Sequence, residues 1–145
     1  MKIRTLVPAA AALVVLAGWL VPAAWAQTQD KEGRIRVTLP YAVKVGEKTL
    51  PPGEYTIEQL PGLGDSPVLM ISDGHGLKVQ TMAMTVRTVD LNSPKSSWVT
   101  LYHLGKSYYL DKVWLEGDPY GYRVLLPESV RNREKEMESV TVPAR

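Results

Sequence analysis

His75 and His103 are the only histidines of this 145-residue chain, and it has no cysteine. A protein metal site needs three or four ligands held together. Two histidines 28 residues apart, one in the turn Asp73-Gly74-His75-Gly76 and one in a strand, set up no such spacing. The missing thiols exclude thiolate metal sites, a cysteine nucleophile, disulfides and lipid attachment at an N-terminal cysteine. A serine nucleophile needs a base within hydrogen-bond reach, and no serine here lies in a Gly-x-Ser-x-Gly elbow. Glu54, Glu58, Asp111 and Glu116 are the carboxylates that a glycoside hydrolase would have to pair. Acids on strand exteriors are ordinarily solvated. Gly62-Leu63-Gly64 lies between strands and opens no helix, so it is no phosphate loop. The expectation is a protein with no catalytic residue, no cofactor and no metal.

The aromatic residues carry more. Nine lie beyond residue 26, and seven of them fall between Trp98 and Tyr122: Trp98, Tyr102, Tyr108, Tyr109, Trp114, Tyr120 and Tyr122. With no phenylalanine in the chain, these rings are expected to fill much of the core and to pair across strands, at about 0.2–1 kcal/mol per pair. The sharper reading is a platform. Ring faces would stack on a sugar or peptide while tyrosine hydroxyls hydrogen-bond to it. Trp98, Tyr102, Tyr109 and Trp114 are the candidate ligand-binding residues.

The first 26 residues read as an export signal. Lys2 and Arg4 make a positive start, Leu6–Val21 is uncharged, and Ala24-Trp25-Ala26 is an A-x-A cleavage site centred on Ala24 and Ala26. The exported form would begin at Gln27 and work in the periplasm or outside the cell. An uncleaved anchor is the rival, since Leu6–Ala26 is 21 residues, about enough to cross a bilayer. Pro8 and Pro22 shorten its uninterrupted apolar part. No later segment is apolar enough to span a membrane. Losing Lys2 and Arg4 leaves fifteen basic and fifteen acidic residues. The balance is neutral and the signs are mixed along the chain, unlike the basic face of a nucleic-acid binder.

Behind the leader, residues 27–33 are polar and loose, and residues 34–127 read as one all-β domain. A chain of this length buries roughly two thirds of its unfolded surface, enough for one ordinary core. Arg34–Leu39 alternates polar and aliphatic residues, a half-buried strand. Pro40 interrupts it, Tyr41–Val45 resumes, and Gly46-Glu47 makes a type II′ hairpin with Lys48–Leu50. Pro51-Pro52-Gly53-Glu54 carries the proline and glycine of a type II turn. Glu54–Leu60 follows as a strand, then a loop to Pro67, a central strand Val68–Ser72, and one long or bent strand Leu77–Val89. Ser97–Leu104 and Ser107–Leu115 flank Gly105-Lys106 in a second type II′ hairpin. Its register pairs Leu104 with Ser107, Tyr102 with Tyr109, and Leu101 with Leu110. Tyr120–Leu126 makes the last strand. Residues 128–145 form a charged tail, with Val130–Val140 as a short, weakly packed helix.

Leu39–Thr56, with its Val45-Gly46-Glu47-Lys48-Thr49-Leu50-Pro51-Pro52-Gly53-Glu54-Tyr55-Thr56 core, resembles the opening block of a family of small exported bacterial β proteins. Tyr102-His103-Leu104-Gly105-Lys106-Ser107-Tyr108-Tyr109-Leu110 with Val113-Trp114 resembles that family's second block, and the charged end after Pro127 its tail. Tyr41 stands where the family usually has phenylalanine, and Tyr122–Leu126 is less typical. The resemblance implies an exported β domain and transfers no catalytic residue.

The expected architecture is a single antiparallel meander forming a small barrel or sandwich, with a short C-terminal helix. The expected role is binding or structure in the cell envelope, with an envelope polysaccharide or protein as partner and no nucleic acid. Two alternatives stand beside it: a carbohydrate- or peptide-binding module using the late aromatics, and a hydrolase using a carboxylate pair.

Overall fold

The computed structural model describes residues 33–60 and 67–145. The export signal with its Ala24–Ala26 site, the leader up to residue 32, and Gly62-Leu63-Gly64 lie outside the described residues.

Ten strands form one mostly antiparallel sheet: β1 Arg34–Leu39, β2 Val43–Val45, β3 Lys48–Leu50, β4 Gly53–Gln59, β5 Val68–Asp73, β6 Val79–Val89, β7 Trp98–Leu104, β8 Ser107–Trp114, β9 Tyr120–Val124 and β10 Glu138–Pro143. Strand alternation builds the inside. In β1, Ile35, Val37 and Leu39 are buried while Arg36 and Thr38 face solvent. Alternation also puts Leu69, Ile71 and Leu101 into the aliphatic cluster, and Leu110 and Val113 of β8 join it although they stand three residues apart.

Strand β6 is the corner of the sheet. Its first half pairs with β5, ending at Met84 opposite Val68, and its second half pairs with β9, starting at Thr85 opposite Val124. Both glycine hairpins form as the sequence requires. Gly46 and Gly105 have φ of +60° and +61°, and no non-glycine residue among the described ones has a positive φ, which selects type II′ over type I′. The register of the second hairpin is the expected one, Leu104 to Ser107 and Tyr102 to Tyr109.

The order is not a simple meander. Strand β1 pairs with β4, so the β2–β3 hairpin is excluded from between them. Strand β9 covers only Lys112–Trp114 of one β8 edge. The rest of that edge is taken by β2 in a parallel pairing, Val43 opposite Tyr108. The Pro52-Gly53 turn is also corrected. Gly53 has φ of +158°, far from the roughly +80° of a type II corner, and opens β4 opposite Leu39. Strand β9 ends at Val124 rather than Leu126, although the Leu125 N–H still donates to the Met84 carbonyl.

The tail differs most. Helix α1 is only Glu128–Arg131, a 3₁₀ turn covers Glu134–Glu136, and residues 138–143 are strand β10 on β7. Val140-Thr141-Val142 is a run of β-branched residues, and Val142 is buried. Cross-strand packing outweighs the charged, helix-like composition.

Past β10 the chain returns to β1. Arg36 and Arg145 exchange two backbone hydrogen bonds, at 2.6 and 2.9 Å, beside a Val37–Ala144 bridge. The sheet nevertheless does not close. Continuing this register would require N–H donors from Pro143 and then Pro40, and proline has none. A cleft of about 380 Å³ lies where the ladder stops, beside Thr38, Pro40 and Pro143.

The core is aliphatic, against the expectation that aromatic rings fill it. Of the late aromatics only Trp114 and Tyr122 are buried. Valine, leucine and isoleucine already occupy the inward positions of the short strands.

Candidate functional site

The most unusual group is a buried carboxylate. Thr100 faces Lys112 and Leu101 faces Leu110, so Asp111 is the extra residue of a β-bulge in β8. Its side chain is 2% exposed and its Oδ1 accepts no hydrogen bond. Arg123 comes from the adjacent β9, where it lies opposite Lys112, and puts its Nε 3.6 Å from that oxygen. Arg123 Nη2 also donates to Glu134 Oε1 at 2.8 Å and, more weakly, to the Tyr102 hydroxyl at 3.5 Å. The Tyr102 hydroxyl donates to Glu134 Oε1 at 3.4 Å.

Glu134 reaches this place because the chain leaves β9, turns through α1 and crosses back toward β10. Pro127 accepts from Val130 and Arg131, and Val130 anchors the turn by its burial.

Burial pushes the Asp111 carboxyl above its ordinary range, and the charges of Lys112 and Arg123 only partly oppose it. Burial also works against the Arg123 cation, but Tyr102, Asp111 and Glu134 outweigh it and raise its pKa. Tyr102 is raised by burial and then by the Asp111 charge. A raised carboxyl is what a general acid needs. Here the group lies beneath the crossover, out of reach of a substrate oxygen. What the geometry does is clamp: one guanidinium ties β7, β8 and β9 to the crossing segment.

The four aromatic candidates form two cross-strand pairs on one hairpin. Trp98 and Trp114 meet with centroids 5.9 Å apart at 33°. Trp114 is buried against Gly121, where an added Cβ would fall 2.7 Å from the indole. Tyr102 and Tyr109 pair farther along the same hairpin, about 13 Å away at strand rise. Lys44 Nζ lies 5.6 Å over the Tyr109 ring.

A stack that the sequence did not reveal is Tyr41, Tyr108 and His103, with centroids 4.0 and 4.3 Å apart and interplanar angles of 1° and 9°. It depends on the parallel β2–β8 pairing, for which no local residue pattern exists. His75 sits in its turn, where Asp73 Oδ1 accepts from the Leu77 N–H at 2.9 Å. Backbone donors, Leu77 first, lower the Asp73 pKa.

The other acids are engaged separately. Glu58 holds Arg34 at 2.7 Å, and Glu54 lies 3.9 Å from Arg36 and 3.8 Å from Arg145. Glu116 is placed by its backbone alone, whose N–H donates to Ser97 Oγ. Among the described residues no group of three or more His, Asp or Glu is placed to hold a metal ion, and no helix is long and apolar enough to cross a membrane.

Beside the clamp a cleft of about 210 Å³ is lined by Val86, Val124, Leu125, Leu126, Arg131 and the Arg123–Glu134 pair. Comparison with family models, curated proteins and solved structures finds no match to this chain.

Proposed function

We propose that this chain is an exported, non-catalytic protein of the cell envelope whose β domain works by binding. The observation that carries the binding half is the outer face of β6. Met82, Met84 and Val86 are 52%, 56% and 47% exposed, and the neighbouring Leu125 is 51% exposed. A contiguous apolar strip of this kind, on a domain with an ample aliphatic core, marks an interaction surface. The export half rests on the leader and on the resemblance of Leu39–Thr56 to exported β proteins. The same reading takes the curled sheet as a small, partly open barrel whose edges meet only at the Arg36–Arg145 contact.

The test is expression of the full chain in a bacterial host, with fractionation and N-terminal sequencing. The expected product starts at Gln27 outside the cytoplasm. Full-length chain retained in the cytoplasm or inner membrane overturns the export reading. A Met82→Ser/Met84→Ser variant that associates with envelope fractions as strongly as the parent overturns the strip as the binding surface.

The carbohydrate or peptide reading is favoured at one place, the Tyr102–Tyr109 pair with Lys44 beside it. Titration with envelope polysaccharides, followed by tyrosine and Trp98 fluorescence, should respond there. No change with any polysaccharide removes that reading.

A further inference from the structure

The cleft between β6 and the crossover is lined by Val86 and Arg131, while Met82 and Met84 continue the Val86 face beyond it, so it adjoins two features that neither the core nor the clamp uses. The first is the exposed side of β6. Met82, Met84 and Val86 alternate onto one face, and Leu125 is held beside them because its N–H donates to the Met84 carbonyl. The second is Arg131, the last residue of α1, whose guanidinium makes no ion pair or hydrogen bond among the described residues. Arg123, the other cation of the cleft, is already shared by Asp111, Glu134 and Tyr102. Arg131 is therefore the uncommitted positive charge at the rim of an apolar trough. Burial of Val130 fixes α1 against the sheet and so fixes where Arg131 stands.

We propose that this cleft, with the strand face that leads out of it from Val86 to Met82, binds a single anionic amphiphile, an acyl chain ending in a carboxylate or phosphate. The chain would lie along Met82, Met84 and Val86 against Leu125, and the head group would meet Arg131. Apolar contact and charge complementarity act at opposite ends of one ligand. Methionine suits the apolar end because its flexible thioether adapts to chains of different shape. A guanidinium suits the other, because its fork of donors matches carboxylate and phosphate oxygens alike. The strip from Met82 to Val86 runs about 13 Å at strand rise, room for a medium-length chain. The proposal rests on the reading of this protein as a binding protein. It is independent of the export test, since it concerns the folded domain alone.

The experiment uses the full chain with 13C-methyl methionine and three probes kept below micelle formation: dodecanoate, dodecyl phosphate, and a neutral dodecyl glycoside. Met82 and Met84 methyls should shift with both anions while Met137, which does not line the cleft, shifts less. The anions should bind about tenfold more tightly than the glycoside, the worth of one charge-assisted contact. Arg131→Gln should remove that tenfold advantage and leave glycoside binding unchanged. Leu125→Ser should weaken all three probes about equally. Amide spectra of each variant report whether the fold is kept, and Arg131 is exposed, so its replacement leaves the core untouched. Equal affinity for anionic and neutral probes, an Arg131→Gln variant that binds anions as before, or shifts appearing only with micelles overturns the proposal. So do Met82 and Met84 shifts that follow protein concentration alone, which would make the strip a contact between copies of this chain. If dodecyl phosphate alone binds, the head group is a phosphate; if dodecanoate binds equally, any compact anion serves.

Discussion

Two stretches of the same outer wall are treated in opposite ways. Over β7, β8 and β9 the chain lays its crossover, buries Asp111 and draws Tyr102, Arg123 and Glu134 into one polar knot. Over β6 none of the described segments is laid, and Met82, Met84 and Val86 stand open. Both stretches obey the same alternation, so strand parity cannot be the cause. The difference lies in where the chain after β9 travels. The covered stretch accepts a costly buried charge and gains an anchored C-terminal strand. The bare stretch gains no stability and leaves apolar area free for something else.

Breaking the covered side should have the largest effect. Arg123→Ala would leave Asp111 buried without its partner and Glu134 untethered, a loss of about 3–5 kcal/mol for a buried charge so stranded. Urea titration reads the loss, and hydrogen exchange should show β10 loosening first. If Arg123→Ala costs no more than an average surface substitution, the polar knot is ornamental and the comparison fails.

Next comes Gly121→Ala. The new Cβ would meet the Trp114 ring at 2.7–2.8 Å, and a rigid indole wedged against backbone costs about 1–3 kcal/mol of overpacking. A shift in Trp114 emission together with a lower urea midpoint is the expected pair of observations.

Asp111→Asn sharpens the comparison through pH. The folded carboxyl is raised by burial, so the fold disfavours its charged form relative to the unfolded chain. That cost is fully present above the folded value, shrinks as pH falls through it, and is gone below the ordinary carboxylate range. Glu134 still holds Arg123 in the variant. Asp111→Asn should therefore be more stable at pH 7, by about 1 kcal/mol on the scale of buried ion-pair replacement. The advantage should vanish in acid. Thermal melts at pH 7 and pH 3 check both halves, and a variant less stable at pH 7 would show that attraction to Arg123 outweighs burial.

The smallest effect belongs to the bare side. Met84→Thr should change stability by no more than about 0.5 kcal/mol, the usual range for an exposed position without partners. A larger loss in a chemical melt would mean that the strip is already covered in solution.

Local residues announced a good part of this molecule. Glycine followed by a polar residue between alternating runs specified both type II′ hairpins, because only glycine takes the positive φ of the first corner without cost. That turn geometry set the register from Leu104–Ser107 to Leu101–Leu110. Period-two alternation named the buried side of β1. What stayed hidden is what depends on partners distant in sequence. The bulge at Asp111 appears only when β7 is laid against β8. The charged tail becomes β10 because an open β7 edge rewards pairing more than composition rewards a helix. Pro40 and Pro143 keep the seam open only because Arg36 meets Arg145 there. Short-range stereochemistry lives in the sequence itself. The burial of Asp111, the reach of Arg123 and the bareness of β6 are set by long-range packing, and that exists only once the sheet has curled.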